Sequence, residues 1–291
     1  MKLMPPLKIH CWGGVGSQLY ALAVYERLLV RMPNRKIIIV FHSFGVTERI
    51  FELSDYVADF LIENDYKTTN IDFNEKVNKK SLKETLFVFL KLLLLKLGIL
   101  ATSNNEFEYM RIRPWVLILR GHYSDIRIPN HIAKKIWYTI NSKNTAVSPT
   151  FDQGLLNVQI RLGDLLTIDS KSPTDSSVLT NTIIELIQSY KIRKILVFSD
   201  SPQIAFNLLK TSLYSCEIQA VELMALDTII ALAKSYYFLG TSSKISIWAA
   251  IFKLSLNNSG LILLPSNLNQ KVEENLVGDF RSSLVKYYLV N

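Results

Sequence analysis

A chain of 291 residues has room for one large domain or two of ordinary size. Apolar residues at 49% against 20% charged, with only 11 Gly and 9 Pro, exclude a disordered, collagenous or low-complexity protein. Thirty-three Lys and Arg over 25 Asp and Glu leave a charge of +8, which suits phosphate-bearing ligands or an anionic membrane surface, while the lone Cys11 and Cys216 exclude a disulfide framework or Cys-rich metal site.

In chain order, Met1 to Pro6 lack the apolar stretch of a signal peptide, so a cytoplasmic location is expected. Leu7 to Cys11 reads as a buried strand. Gly13, Gly14 and Gly16 form a turn before a helix from about Gln18 to Val30, and Ile37 to Phe41 is the next strand. Residues 85–101 hold twelve large apolar residues interrupted by Lys91 and Lys96. On an insertion scale the apolar residues contribute roughly −4 to −7 kcal/mol and the lysines roughly +5 to +7, so spanning is near neutral. At about 100° per residue, Lys79, Lys80, Lys83, Glu84 and Lys91 share an arc of about 140°. The segment, about 82–97, is a basic amphipathic helix, either buried with snorkelling lysines or lying in a membrane interface.

Val116 to Leu119 is a further strand, and Ile132 to Ile140 a helix. Residues 141–153, polar with Pro149, read as a linker, giving domains of 1–145 and 146–291. Strands then alternate with helices: strand Leu155 to Arg161, helix Ser176 to Tyr190, strand Lys194 to Ser199, helix Pro202 to Leu209, strand Glu217 to Val221, helix Ala225 to Lys234, strand Tyr236 to Leu239, helix Ile245 to Leu254, strand Leu261 to Leu264. Such alternation implies two α/β domains with parallel sheets, whose ligands bind beyond the carboxyl ends of the strands.

Four loops there carry chemistry. Trp12-Gly13-Gly14-Val15-Gly16-Ser17-Gln18-Leu19 opens a helix N-terminus to an anion, or is a tight turn without a ligand. Leu19 stands where a dinucleotide fingerprint needs a third glycine, and Phe41-His42-Ser43 where it needs an acid, which disfavours NAD. In the loop Val158-Gln159-Ile160-Arg161-Leu162-Gly163-Asp164, Arg161 either grips a phosphate with its planar fork of donors or pairs with Asp164. Asp200, in Phe198-Ser199-Asp200-Ser201, can accept from ribose hydroxyls or cap the helix at Pro202. Gly240-Thr241-Ser242-Ser243-Lys244-Ile245-Ser246 clusters hydroxyls and a lysine at a helix start, an anion site, with Trp248 placed in the core.

Together, in order and spacing from Gly13 to Trp248, these segments resemble the bacterial α-1,2-fucosyltransferases and their wider superfamily; Arg120-Gly121-His122-Tyr123-Ser124 is similar to that family's aromatic loop. The chain departs from the family pattern at Ser17 (Asn there), Gln159 (His), Leu162 (a second Arg in many members), Lys244 (Ser) and Ile247 (Trp), and keeps Gln18, Arg161, Gly163, Asp164 and Asp200. The resemblance implies a GT-B fold, two Rossmann-like domains facing each other across a cleft, and inverting sugar transfer without a metal or resident cofactor. It implies a nucleotide-sugar donor, GDP-fucose in first place, and a glycan hydroxyl acceptor in O-antigen or capsule synthesis. A lipid-linked acceptor would suit an enzyme held at the inner face of the cytoplasmic membrane by the basic helix, and a nucleic-acid partner is not expected.

On this reading Arg161 stabilises the leaving phosphate, supported by Ser243, Lys244 and Ser246, while Gly14, Gly16, Ser17, Gln18, Gln159 and Asp200 contact the donor. Asp164, Asp125 and His122 have the chemistry of a general base, and the sequence selects none of them. The departures also leave open another nucleotide-sugar, a non-catalytic nucleotide or glycan binder, and a cytosolic nucleotide-dependent enzyme unconnected with glycans.

Overall fold

A computed structural model describes residues 4–43, 48–63, 86, 89, 90, 93, 94, 96–102, 115–121, 123, 124, 126–143, 152–162, 176–210, 213, 216–256, 259–268, 272, 276, 277 and 284–289. The chain forms two units, 1–126 and 127–291. The division precedes the border expected at 145/146, because the helix Asn130–Lys143 packs in the second unit: Trp137 lies 5.4 Å from Phe252, ring centre to ring centre. Most of the expected linker lies outside the described residues.

The first unit is a parallel five-stranded sheet in the order β3-β2-β1-β5-β4, built from β1 (Leu7–Trp12), β2 (Ile37–His42), β3 (Phe60–Glu63), β4 (Leu100–Thr102) and β5 (Ile118–Arg120). Along β1, Leu7, Ile9 and Cys11 are buried while Lys8, His10 and Trp12 are half-buried, so one face is core and the other mixed. Helix α1 (Val15–Arg31) connects β1 to β2 and buries Leu19, Tyr20, Ala23, Val24 and Leu28. Its first turn starts at Gly14, whose carbonyl accepts from Ser17 N at 2.8 Å and Gln18 N at 3.3 Å.

The second unit is a parallel six-stranded sheet in the order β13-β11-β10-β7-β8-β9. Its strands are β7 (Leu155–Ile160), β8 (Lys194–Ser199), β9 (Glu217–Val221), β10 (Tyr237–Gly240), β11 (Leu261–Pro265) and β13 (Val285–Tyr288). A separate two-stranded ribbon pairs β6 (Ile128–Pro129) with β12 (Leu276–Val277). Helix α2 is Asn130–Lys143, followed by α3 (Ser176–Tyr190), α4 (Pro202–Lys210), α5 (Ala225–Lys234) and α6 (Lys244–Ser255). Every residue of β7 is buried, as befits a central strand of a covered parallel sheet. Helix α6 is buried from Ser246 to Ser255, Lys253 included; its ammonium donates to the Ser235 and Ser259 carbonyls, and burial lowers its pKa to about 8.

The expected strands and helices of the regular second half recur within one or two residues. The sequence reading missed β3, β4, β6, β12 and β13, and placed β5 two residues early. Of the segment around 82–97, the described residues 86, 89, 90, 93, 94 and 96 are helical. Lys79, Lys80, Lys83 and Lys91 lie outside the described residues. Among the described residues no helix is long and apolar enough to cross a membrane.

Candidate functional site

The carboxyl edge of the second sheet brings three loops together, because β7 lies between β10 and β8 with Gln159 beside Gly240 and Ile160 beside Ser199. Only glycine fits at 240: a Cβ there would lie 2.5 Å from Ser246 Oγ and 2.7 Å from Ser246 Cβ. That clearance lets α6 start directly over the strand end. Ser243 caps the helix, its Oγ accepting from Ser246 N at 3.0 Å, and Ile247 N closes on Ser243 O at 3.1 Å. Among the described residues this leaves the Ile245 N–H in the first turn to face an anion, at the positive end of the helix dipole.

Gln159 organises the corner. Its Oε1 accepts from Ser246 Oγ at 2.6 Å, Ser243 Oγ at 2.9 Å and Thr241 Oγ1 at 3.3 Å, and all four residues are buried. Thr241 N donates to Gln159 O at 3.1 Å, and Thr241 Oγ1 accepts from Arg161 N at 3.0 Å, which fixes the backbone where Arg161 leaves the sheet. Asp200 Oδ1 accepts from Leu162 N at 2.9 Å and Ser199 Oγ at 3.3 Å, tying the β8 loop to the β7 loop.

These contacts revise several expected roles. Gln159, Ser243 and Ser246 direct their side chains at one another and form the scaffold of the corner. Beside this scaffold Arg161 and Lys244 are half-buried and Asp200 is exposed. Gly163 and Asp164 lie outside the described residues, as do His122 and Asp125.

In the first unit Gly13 has φ +90°, a left-handed conformation that favours glycine. Gln18 is buried and engaged within its own unit: Nε2 donates to the Gly13 carbonyl at 3.1 Å and the Ile50 carbonyl at 2.8 Å, and Oε1 accepts from Glu52 N at 2.9 Å. It straps residues 50–52 to the first loop, which explains its presence without a ligand. Gly16 and Ser17 are buried in the first turn of α1, and Gly14, half-buried, has open space where a Cβ would stand.

Sequence reasoning did not single out a polar stripe across the mixed face of this sheet. Glu63, His42, His10 and Arg120 come from β3, β2, β1 and β5, in that spatial order, with His42 beside Glu63 and His10 beside Arg120 in the strand registers. His10 Nδ1 and His42 Nε2 lie 2.9 Å apart, and His42 Nδ1 is 3.7 Å from Glu63 Oε2. The Tyr123 hydroxyl, 2.7 Å from the His10 carbonyl and 2.9 Å from that of Leu119, anchors β1, and Tyr123 itself sits at φ +55°, uncommon for a non-glycine residue. Burial, then the neighbouring charges of His42, Arg120 and Lys8, lower the His10 pKa from 6.5 to about 3. The available signal was the placement of His10 and His42 in strands otherwise apolar except for Lys8, where a covered parallel sheet calls for continuous hydrophobic residues.

No family model matches the chain, and no curated protein matches it. Among solved structures it is similar to the E. coli heptosyltransferase WaaC with ADP, at TM-score 0.50 and 10% identity over 98% of this chain and 93% of that one. It is also similar to POFUT1 in complex with GDP-fucose (TM-score 0.44, 12% identity, 89% and 97% covered) and to S. aureus MnaA with UDP (0.43, 12%, 89% and 78%). The likeness to the heptosyltransferase shows the fold: two parallel-sheet α/β units of the GT-B glycosyltransferase type.

Proposed function

We propose that the chain is a glycosyltransferase that uses a nucleotide-sugar and binds it at the carboxyl edge of the second sheet. The observation that carries this reading is the corner where Arg161, the first turn of α6 and Asp200 meet on a scaffold held by Gln159. A nucleoside diphosphate leaving group gathers negative charge as its bond to the anomeric carbon breaks. Arg161, Lys244 and the N–H groups at the start of α6 are the donors we assign to that charge, and Asp200, with Oδ1 engaged in the loop, has Oδ2 to accept from the nucleoside. These groups supply positive charge without a divalent ion, so transfer is expected to persist in EDTA; that it inverts the anomeric carbon is what the resemblance to the α-1,2-fucosyltransferases implies.

GDP-fucose is the favoured donor, on the resemblance of the four loops to α-1,2-fucosyltransferases, and a glycan hydroxyl of O-antigen or capsule is the acceptor class. The match to a heptosyltransferase solved with ADP supports a second reading, the same chemistry with an adenine-linked donor. Around residue 90, Leu86, Phe89, Leu90, Leu93 and Leu97 are all exposed, a helical apolar face that supports docking to an anionic membrane beside a lipid-linked acceptor. Calorimetry with GDP, UDP, ADP and CMP tests the donor. GDP preference is expected; ADP preference selects the second reading, and the absence of binding to all four rejects the proposal.

A further inference from the structure

We propose that Gln159 has a second role beside the scaffold: with its Oε1 held by three hydroxyls, its Nε2 is turned to donate to a phosphate oxygen of the diphosphate bound at the start of α6. This rests on the transferase reading above and adds a neutral donor to that site, within the second unit alone.

Only one orientation of the amide satisfies its neighbours. Thr241, Ser243 and Ser246 bring three hydroxyl protons to the corner, and all three reach Gln159 Oε1, at 3.3, 2.9 and 2.6 Å. Two of these hydroxyl oxygens already accept elsewhere, Thr241 Oγ1 from Arg161 N and Ser243 Oγ from Ser246 N. With the amide reversed, Nε2 would offer further protons to groups that have protons of their own to place. Ser243 and Ser246, 3.1 Å apart, would settle one proton between them, and the other two would be stranded in a buried site. The hydroxyls therefore require a carbonyl oxygen at that point, which fixes which end of the side chain is the amine.

The amine is left with donors to place. Among the described residues Nε2 makes no hydrogen bond, although Gln159 is only 3% exposed. A buried amide whose oxygen has three partners and whose nitrogen has none calls for a partner from outside the fold.

The strand order says what that partner is. Gln159 stands between Gly240 of β10 and Phe198 of β8. Its carbonyl faces the connection from β10 to α6, so the amine is turned to the β8 side. Nitrogen and oxygen of one amide are about 2.2 Å apart, which keeps Nε2 within roughly 5 Å of the Ser243 and Ser246 hydroxyls and thus at the first turn of α6. In the proposed site the phosphates lie at that turn, and Asp200, after β8, takes the nucleoside. β7 is the strand between the two, so Nε2 lies where the diphosphate passes from one to the other. Two N–H donors fixed there match phosphate oxygens, and the Ile245 N–H offers a further donor from the helix.

Two measurements test this. In ¹⁵N–¹H spectra of the wild-type protein, the Gln159 side-chain amide is assigned by its loss in Gln159→Glu, and the Ile245 main-chain peak reports occupancy of the helix start. The nucleoside diphosphate preferred in calorimetry should move both peaks, the amide proton downfield. An Ile245 peak that moves while the Gln159 amide stays still overturns this contact alone. In Gln159→Glu the acceptor for the hydroxyls remains and the amine becomes a second carboxylate oxygen, kept ionised by the hydroxyls and the positive end of α6. Its melting temperature should stay within about 3 °C of wild type. Affinity for the same nucleoside diphosphate should fall about 10²-fold or more, because one anion then faces another. Affinity within a few-fold of wild type, or a loss confined to the sugar-bearing donor, overturns the phosphate contact. Should the variant fail to fold, the wild-type spectra decide, with the amide assigned through its own side-chain carbons. A wild type that binds none of the four nucleotides overturns the transferase reading as well.

Discussion

Gln159→Leu is the sharpest probe of the second-unit corner, because it keeps the volume of a buried side chain and removes only its polar end. Three hydroxyls converge on Gln159 Oε1, at 2.6, 2.9 and 3.3 Å, and all three are buried. After the substitution Ser243 Oγ and Ser246 Oγ, 3.1 Å apart, can still bond to each other, which satisfies one proton of that pair and strands the other. Thr241 Oγ1 loses its acceptor but continues to accept from Arg161 N. Two hydroxyl protons, that of Thr241 and one of the serine pair, then lack an acceptor at about 1–3 kcal/mol each, so the variant should be destabilised by about 2–6 kcal/mol. For a unit of this size that corresponds to a fall in Tm of about 5–20 °C by scanning calorimetry. Ser246→Ala removes one of three donors competing for a carbonyl with two lone pairs, and should cost under about 1 kcal/mol. Nucleotide affinity should drop in Gln159→Leu, since Arg161 and α6 are placed through this network. A Tm within 1 °C of wild type, or a Ser246→Ala as damaging as Gln159→Leu, would refute the scaffold role.

Arg161→Ala should lower transfer about 10²–10³-fold with the melting temperature unchanged, the usual loss for one donor aimed at developing charge; activity within a few-fold of wild type removes Arg161 from the site. Acid should destabilise the first unit: His10 stays neutral when folded down to about pH 3 but takes up a proton near 6.5 when unfolded, so its contribution is complete above pH 6.5 and lost as pH falls. The slope is at most about 1.4 kcal/mol per pH unit, and His10→Gln should flatten urea midpoints measured between pH 7 and 5; identical slopes contradict the burial argument. Vesicles rich in anionic lipid should co-sediment the protein in a salt-sensitive way, weakened by neutralising Lys79, Lys80, Lys83 and Lys91 at about 1 kcal/mol per cation; binding indifferent to both treatments rejects membrane docking.

What was legible in the sequence follows from the range of the interactions involved. β8, β10 and β11 are largely apolar runs and β7 is one interrupted by Asn157 and Gln159, so the burial of each is legible in the run by itself. β3, β4, β6 and β12 are two to four residues long and owe their conformation to a neighbour in the sheet or ribbon, which no local pattern announces. The positions of Arg161 and Asp200 after strand ends were readable for the same local reason. The engagement of Gln159 was not, since its partners are 82 to 87 residues away and the exchange of hydroxyls for a ligand contact is decided only by their convergence. Gln18 repeats the lesson: its motif position suggests a ligand, and its bonds to Gly13, Ile50 and Glu52 show a strap.

Helix α2 was the element whose allegiance the sequence misjudged, and one substitution tests where it belongs. Trp137 is 4% exposed and packs on Phe252, whose ring lies 5.2 Å from that of Trp248, so α2 buttresses the second half of α6 with the face that carries Ile132, Ile136 and Ile140. Trp137→Ala removes a large side chain from a packed site and should cost about 3–5 kcal/mol. Because the opposite end of α6 starts at Ser243 and Lys244, the damage should reach the proposed phosphate corner as weaker nucleotide binding. Native-state hydrogen exchange should show faster opening of β7, β8 and β10 and unchanged protection of β1 and β2. Loss of protection in β1 and β2 with β7 spared would return the helix to the first unit and restore the later border.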